Sequence, residues 1–384
     1  MTSPAIHAQN LIRYRSITPD EGGALGYLEK ELGAAGFTCH RLIFSERGTP
    51  GVTNLYARIG DGSPHVCFAG HTDVVPPGDQ AAWRHGPFDA EIENAILYGR
   101  GAADMKGAVA AALSAALDYL SERSMPPEGS ISFLITGDEE GPAINGTKKV
   151  VEWLAERGER PDCCVLGECT SEASVGDTIK IGRRGSLSGH IRARGIQGHT
   201  AYPHNARNPL PALIDALNLL KMKPLDAGSE HFQPSNLQIT SIDTGNPAFN
   251  VIPATATAKF NVRFNDHHTG DSLKTWIESQ VNAALLETGV DFAVDFEPVA
   301  EAFITEPGGF VKKLSAAVQA EVHQEPMLST AGGTSDARFI KDLCPVAELG
   351  LLNATAHKID ECVPVSDLEK LSRIYLRFLR LFFS

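Results

Sequence analysis

The sequence predicts an α/β protein, in which a mixed, mostly parallel sheet flanked by helices carries a smaller inserted α+β domain. Strand-like and helix-like segments alternate over residues 1–178, which is typical of a parallel sheet covered by helices. The order then becomes β-α-β-β-α-β, the order of a ferredoxin-like unit, before the alternation returns. We therefore predict a discontinuous first domain, residues 1–179 and 295–384, and an inserted domain, residues 180–294.

The elements of the first domain follow from the period and length of its hydrophobic segments. Helices are predicted at 24–36, 107–122, 147–157, 310–322, 337–343 and 365–383. Strands are predicted at 52–59, 65–70, 131–136, 163–167 and 346–349. The clearest helix is 107–122, because it is rich in Ala and Leu, which have high helix propensity.

The inserted domain has the same kinds of signal in a different order. It begins with a strand or a bent hairpin arm at 179–193. Further strands are predicted at 237–242, 254–264 and 290–296, and helices at 209–221 and 271–288.

Charge and composition limit the partners that this chain can have. The 34 Lys and Arg residues against 47 Asp and Glu give a net charge of -13, which disfavours nucleic acid and anionic membranes as partners. Membrane spans and a signal peptide are not expected, since apolar runs are short and the N-terminus lacks an apolar h-region. The seven cysteines include no CxxC pair, so we expect reduced thiols and a cytoplasmic location.

Three apolar runs of the first domain end in side chains that can bind a metal ion or move a proton. These side chains are His71 and Asp73 after the first run, Glu139 and Glu140 after the second, and Glu168 after the third. An open α/β sheet builds its site at the carboxyl ends of its strands. Ionised groups also avoid burial unless they are paired or bind metal. The sequence therefore predicts a metal-dependent hydrolase with its site at this edge of the sheet.

Each candidate ligand also has an ordinary structural explanation. His71 alone could be a structural histidine, and Asp104 could be the N-cap of the helix that follows it. Glu139 and Glu140 could lie at an exposed loop tip, and His357 could be a loop histidine. Taken together, two histidines and several carboxylates form a mixed nitrogen and oxygen set that suits zinc, with manganese or cobalt as alternatives.

Several motifs of the chain resemble those of a known enzyme family. They are FAGHTDVVPPGD (68–79), LYGRGAADMKG (97–107), TGDEEG (136–141), LGE (166–168), IKIGRRGS (179–186), GHTAYPH (198–204), NVIP (250–253), GGTSDARF (332–339) and NATAHK (353–358). With these motifs, which extend over the whole chain, it resembles the dinuclear zinc amidohydrolases and exopeptidases that include aminoacylase, acetylornithine deacetylase and carboxypeptidase G.

The resemblance implies a fold, a site and an assembly. The fold would be zinc exopeptidase-like, with two zinc ions per subunit and an inserted domain that serves as a lid and makes a homodimer. By resemblance, Asp104 bridges both ions, His71 and Glu168 complete one site, and Glu140 and His357 complete the other. Glu139 resembles the general base and Asp73 the partner of His71, since a carboxylate two residues on can accept the second imidazole N–H. His199 resembles a histidine that the partner subunit lends to the active site, although by itself it reads as a surface loop residue.

Other motifs suggest how the substrate is held. RRGS and GGTSD resemble one subgroup more than the rest, which implies an N-succinyl amide of a diamino diacid as the substrate. Arg183 and Ser186 are then candidates to bind a substrate carboxylate, because an arginine offers a bidentate fork. Secondary candidates are Tyr202, Asn250, Arg263, Thr334 and Asn353. Without the resemblance, the two arginines of RRGS would be typical of the solvent-exposed face of a strand.

Two other functions stay open at the sequence level. The chain could hydrolyse a different amide, such as acetylornithine or a dipeptide, because the metal ligands do not distinguish these substrates. It could also be a non-catalytic metal-binding interaction protein, although a structural metal site needs no spare base such as Glu139. One departure from the family pattern is Cys169, a thiol beside Glu168 where relatives usually have proline.

Overall fold

The computed structural model describes residues 3–122, 129–284 and 288–384. The chain folds into two compact units. The large unit comprises Met1–Gly182, Thr305–Ser329 and Ser335–Ser384, and the small unit comprises Arg183–Ile304 and Thr330–Thr334.

The helices and strands are numbered along the chain. The helices are α1 (Pro4–Arg13), α2 (Ala24–Ala34), α3 (Lys106–Ser121), α4 (Thr147–Glu156), α5 (Pro209–Lys221), α6 (Gly270–Ala284), α7 (Gly309–Val322), α8 (Ala337–Ile340) and α9 (Val365–Phe382). The strands are β1 (Thr38–Phe44), β2 (Val52–Ile59), β3 (His65–His71), β4 (Ile92–Glu93), β5 (Ile96–Tyr98), β6 (Ser130–Thr136), β7 (Cys163–Leu166), β8 (Thr178–Lys180), β9 (Gly182–Arg183), β10 (Gly185–Arg194), β11 (Gly198–His199), β12 (Asn236–Asp243), β13 (Val251–Ile252), β14 (Thr255–Phe264), β15 (Asp291–Phe296), β16 (Phe303–Ile304), β17 (Met327–Ser329), β18 (Val346–Glu348) and β19 (Cys362–Pro364).

The large unit is built on an eight-stranded sheet in the order β1-β2-β6-β3-β7-β18-β8-β17. Strands β6, β3, β7 and β18 run parallel to one another at its centre, and β1 and β2 are antiparallel at one end. Every residue of β3 and β6 is buried, as expected for parallel strands with both faces covered. The predicted fold class, a mixed and mostly parallel sheet with flanking helices, is therefore confirmed.

The sequence interpretation missed two elements at the start of the chain, α1 and β1. Strand β1 pairs with β2 at the end of the sheet, and none of its residues is buried. An edge strand of this kind lacks the apolar run by which a buried strand is recognised. Helix α1 carries a proline in its first turn and is short, so its period is weakly defined.

The small unit contains a four-stranded antiparallel sheet in the order β12-β14-β10-β15. Buried residues alternate along β10 and β14, which places one face of the sheet against a core and leaves the other partly exposed. Helices α5 and α6 supply the rest of that core through residues such as Leu213, Leu217 and Ile277. The chain order β10-α5-β12-β14-α6-β15 is the ferredoxin-like order expected from the sequence.

The boundaries between the units differ from the predicted ones. The small unit begins at Arg183, not at residue 180, and its first stretch ends at Ile304, ten residues after the predicted 294. The physical reason is that β15 pairs with β10 along its whole length, so the strand cannot be divided between two units. The segment 179–193 also breaks into separate strands, because β8 joins the large sheet whereas β10 joins the small one. Part of the predicted helix 271–288 lies outside the described residues.

Candidate active site

The parallel strands deliver their polar termini to one edge of the large sheet. His71 is the last residue of β3, and the strand register pairs it with Thr136 at the end of β6. Glu139 and Glu140 follow Thr136 by three and four residues, and Glu168 lies two residues after the end of β7. The sequence pattern and the topology therefore agree on where these side chains lie.

Asp104 lies between two imidazoles, with one carboxylate oxygen toward each. Its Oδ1 is 3.2 Å from His71 Nε2, and its Oδ2 is 3.2 Å from His357 Nε2. The same His357 nitrogen is 2.8 Å from Oε1 of Glu140. A carboxylate with its two oxygens turned toward two separate sets of donors has the geometry required of a ligand shared by two cations.

Glu168 supplies an oxygen that needs a partner. Its Oε1 lies 3.9 Å from His71 Nε2, and the side chain is buried. That oxygen has no hydrogen-bond partner among the residues that the structure describes. A buried carboxylate oxygen in that state is unfavourable unless it is protonated or meets a cation. The donor set of oxygens and imidazole nitrogens thus fits divalent metal ions.

The pKa shifts around this cluster have two physical causes. Burial, reinforced by the neighbouring carboxylates, raises the pKa of Glu139 to about 8 and that of Glu168 well above its usual range. Hydrogen bonds to Asp104 and then Glu140 raise the pKa of His357 to about 10. Burial opposes ionisation of Asp104, but the imidazoles of His357 and His71 hold its pKa below the usual range. Without a metal ion, these shifts favour the protonated forms of Glu168 and His357. Each must lose its proton before it can bind a cation.

The carboxylate of Asp73 binds the turn that carries Glu139 and Glu140, not the imidazole of His71. The Nδ1 atom of His71 lies 2.9 Å from the backbone oxygen of Asp73 but 3.7 Å from its carboxylate. The carboxylate accepts hydrogen bonds from the backbone N–H groups of Glu139 and Glu140. The expectation that the Asp73 carboxylate accepts the second imidazole N–H is therefore wrong in detail. Its two oxygens are taken up by the turn that carries both glutamates.

Asp104 does not cap the helix that follows it. The N-cap of α3 is Met105, which makes no side-chain capping bond. Asp104 stands before that position, at the end of a loop in which Gly101 has a φ of 87°. Gly107 in the first turn of α3 has no room for a side chain, since an added Cβ would lie 2.3 Å from the carbonyl oxygen of Ala102. These two glycines thus allow the tight loop that leads into α3.

The sequence interpretation missed Glu361, the residue that holds this loop in place. Its buried carboxylate accepts hydrogen bonds from the backbone N–H groups of Gly101, Ala103 and Asp104. It also accepts one from the guanidinium of Arg100 at 2.7 Å. Arg100 in turn donates to the backbone oxygens of His357 and Lys358. One buried carboxylate therefore fixes the positions of both Asp104 and the His357 loop.

Replacing Glu361 by glutamine should weaken zinc binding by about 10- to 100-fold, because an amide N–H₂ then faces backbone donors and the loop loses its fixed position. Competition against a chromophoric chelator measures the affinity. Glu369→Gln, an exposed change on α9, is the matched control and should leave the affinity unaltered. Unchanged zinc affinity in a folded Glu361→Gln protein would show that the loop needs no such support.

His357 itself has an unusual backbone conformation. Its φ is 61°, in the left-handed region that non-glycine residues seldom adopt. Strained backbone of this kind persists where the surrounding structure holds it and is common at functional sites. The loop is held by the hydrogen bonds from Arg100, so the strain is consistent with a residue positioned for function.

In the small unit, three predicted residues lie around β11 and β13, namely His199, Tyr202 and Asn250. His199 pairs with Val251, and the N–H of Thr200 donates to the backbone oxygen of Asn250. The rings of His199 and Tyr202 have centroids 5.6 Å apart, and both residues are exposed. His199 and its neighbours thus form an exposed polar and aromatic surface on this unit.

A second group in the small unit is basic. Arg263 and Ser186 are direct neighbours across β10 and β14, and Asn261 bonds to both side chains. Nη1 of Arg263 and Nε of Arg184 are buried, and neither has a hydrogen-bond partner within the described part of the chain. Burial and the charge of Arg184 lower the pKa of Arg263. This pair is therefore suited to an anion.

The remaining predicted residues lie near these groups or in the large unit. Arg183 lies next to the stretch 330–334, with Nη1 3.5 Å from the backbone oxygen of Ala331, and Thr334 ends that stretch. Asn353 belongs to the large unit, where its N–H donates to the backbone oxygen of Ser171. Arg184, which the sequence interpretation weighed only as part of a basic pair, was not among the predicted substrate-binding residues.

Comparison with known proteins identifies the family. Residues 67–381 match the model of peptidase family M20/M25/M40. The chain belongs to this family. A succinyl-diaminopimelate desuccinylase of Rhodopseudomonas palustris (strain HaA2) is 54% identical to it, with 100% of each chain covered. One of Rhodospirillum centenum is 56% identical, with 99% of this chain and 97% of the relative covered. The resemblance predicted from the motifs is thereby confirmed, and the chain is a hydrolase of this family.

Solved structures share the fold at low sequence identity. The aminopeptidase PepT of Bacillus cereus superposes with a TM-score of 0.81 at 18% identity, covering 100% of this chain and 98% of the other. A dinuclear metal-binding peptidase of the M20 family from Bacillus subtilis superposes with a TM-score of 0.71 at 15% identity, covering 98% of this chain and 97% of the other.

Among the described residues, none of the helices combines the length and the apolarity that a bilayer span requires.

Proposed function

We propose that this chain is a two-metal amide hydrolase that cleaves N-succinyl-L,L-2,6-diaminopimelate to succinate and L,L-2,6-diaminopimelate, a step of diaminopimelate and lysine biosynthesis. The observation that carries the metal centre is Asp104, whose two oxygens face His71 and His357 separately. The substrate is supported by the relatives named for that reaction, which match essentially the whole chain.

The ligands divide into two sets that share Asp104. His71 and Glu168 would complete one site, and Glu140 and His357 would complete the other. Zinc suits this mixture of imidazole and carboxylate, and cobalt or manganese could replace it. When bound, two such cations supply Lewis acidity, which polarises an amide carbonyl and makes a water molecule more acidic.

Glu139 is proposed as the general base. It lies in a group with His71 and Glu168 whose ligand atoms are all within 4.8 Å of one another. It accepts the proton from the attacking water and then delivers it to the amine nitrogen as the C–N bond of the amide breaks. The hydrogen bond from its backbone N–H to the Asp73 carboxylate fixes the turn on which it stands. His199 is proposed to stabilise the developing oxyanion.

The basic group of the small unit is proposed to bind a carboxylate of the substrate. Nη1 of Arg263 and Nε of Arg184 are buried donors without a partner among the described residues, and an anion would satisfy them. Arg183, at the end of β9, and Ser186, on β10, lie on either side of Arg184 in the chain. The further candidates are Tyr202, Asn250, Thr334 and Asn353. An acetylated substrate leaves such donors unpaired, which costs transition-state binding.

A substrate panel with zinc-loaded protein tests the proposal. We expect the specificity constant for N-succinyl-L,L-2,6-diaminopimelate to exceed that for N-acetylornithine by on the order of 10⁴. Arg263→Met should remove most of this preference, whereas Arg194→Met, an exposed change at the far end of β10, should preserve it. Equal specificity constants for the two substrates, or a preference for a dipeptide, would refute the proposed substrate. The proposed amide hydrolase activity would still stand. Bound zinc with no hydrolysis of any amide would favour a non-catalytic metal-binding protein.

We also propose a homodimer in the cytoplasm. Strands β12 and β15 lie at the edges of the small sheet, where strands can pair with a second copy. All seven cysteines, which fall in the described residues, are free thiols, as a reducing compartment favours. The family resemblance further implies that His199 acts at the partner's metal ions.

Mixing two inactive chains tests whether His199 acts in the partner subunit. A heterodimer of His199→Ala and Glu139→Gln chains then has one site with both defects and one with neither. Each heterodimer should show about half the activity of one wild-type dimer. Activity is measured after the subunits have exchanged, and mass spectrometry verifies the exchange. Proven exchange without any return of activity would place His199 in its own subunit's site or outside the mechanism.

A further inference from the structure

Cys169 is a thiol placed among the carboxylates of the proposed metal centre. It directly follows Glu168 beyond the end of β7 and is half-buried. Its Sγ, an oxygen of Asp104 and an oxygen of Glu168 all lie within 4.8 Å of one another. These separations are short enough for three donors to contact a single cation.

A second observation points to a cation at this position. Glu168 is 8% exposed, and its Oε1 has no hydrogen-bond partner in the described part of the chain. The carboxylate that neighbours the thiol is thus the one with an unsatisfied buried oxygen. The thiol does not compensate for it, because S–H is a weak donor. A cation between Asp104 and Glu168 would satisfy the oxygen and would lie beside the sulfur.

We propose that Cys169 binds, as a thiolate, the cation that Asp104 and Glu168 hold, and that it makes this half of the centre prefer ions that accept sulfur. The inference rests on the metal centre proposed above. When the ion binds, the S–H bond breaks, its proton passes to solvent, and the electron pair left on sulfur forms the bond to the metal. Zinc, cobalt and cadmium accept such a ligand, whereas manganese and magnesium favour oxygen.

The position of Cys169 distinguishes it from the other thiols of the chain. Cys67, Cys163, Cys164 and Cys344 are buried in the core, and among the described residues none of them belongs to a cluster that could hold a metal ion. Cys39 is half-buried like Cys169, but its Sγ lies 3.8 Å from the backbone oxygens of Glu29 and Phe37. Cys39 is therefore a matched control for the accessibility and number of thiols.

Cobalt spectroscopy on the full chain tests the proposal without measuring activity. Chelator-stripped protein, kept reduced, is titrated with Co²⁺, and visible ligand-field bands report binding while a near-ultraviolet band reports sulfur-to-cobalt charge transfer. We expect wild type and Cys39→Ser to show both kinds of band, and Cys169→Ser to keep the ligand-field bands but lose charge transfer. Cadmium binding should weaken by about tenfold or more in Cys169→Ser, with little change for Mn²⁺.

The possible failures separate this inference from the proposed function. Cobalt bound at full stoichiometry in wild type without charge transfer would overturn the role of Cys169 and leave the metal centre intact. Charge transfer that persists in Cys169→Ser would assign the sulfur ligand to another cysteine. Failure of the wild-type protein to bind cobalt at all would overturn the metal centre, and the role of Cys169 with it.

Discussion

Replacing Glu139 by glutamine should lower kcat by about 10² or more while both metal ions stay bound. The amide keeps the size of the side chain but cannot accept the proton of the attacking water. The backbone N–H of residue 139 still donates to the Asp73 carboxylate, so the turn should keep its conformation. Steady-state kinetics and elemental analysis of the same preparation measure the two effects together.

The neighbouring residue provides the control for this prediction. Glu140→Gln changes the charge by the same amount, but Glu140 contacts His357 and is a proposed ligand. It should therefore lose metal, whereas Glu139→Gln should not. Near wild-type turnover of Glu139→Gln with a full metal content would remove Glu139 from the mechanism.

Replacing Asp104 by alanine should remove both metal ions, from about two zinc ions per chain to none. The reason is that Asp104 is the carboxylate facing both imidazoles, so its loss opens both sites at once. His357→Ala should lose mainly one ion, because His71 and Glu168 are not altered. Elemental analysis after dialysis against limiting zinc compares the two variants.

An equal loss in the two variants would argue against a shared ligand. If Asp104→Ala and His357→Ala both kept one ion, Asp104 would belong to a single site and would not be shared by two ions. Asp271→Ala, an exposed change in α6, controls for the removal of a carboxylate and should keep both ions.

Part of the site could be predicted because it follows directly from strand ends. His71, Glu139, Glu140 and Glu168 each come just after an apolar run, and parallel strands bring their carboxyl ends to the same edge. From the sequence alone Asp104 is typical of a helix cap, because aspartate is favoured at that position. It was the family resemblance that favoured ligation.

Other parts of the site depend on contacts that no local pattern reveals. Glu361 binds backbone groups that are 257–260 residues away in the chain. It lies outside the motifs of the resemblance, three residues after NATAHK (353–358). Asp73 looked like the partner of His71 because of their spacing, yet its carboxylate binds N–H groups 66 and 67 residues away. Tertiary hydrogen bonds to the backbone have no signature in residue type.

The fold, like the site, has parts that a local sequence pattern reveals and parts that depend on tertiary contacts. Buried strands such as β2 and β6 and helices such as α5 were predicted almost to the residue, because their hydrophobic pattern is strong. The edge strand β1 has no buried residue and was missed. The domain boundary was misplaced at β15, because a strand belongs to the sheet it pairs with, and pairing is not visible in the sequence.

The proposed mechanism requires two cations that share Asp104. Anomalous scattering at the zinc edge from crystals of the zinc-loaded chain tests this directly. We predict two peaks per chain on opposite sides of the Asp104 carboxylate, one beside His71 and Glu168 and the other beside Glu140 and His357. A single peak in fully active protein, or two peaks of which one does not contact Asp104, would contradict the account.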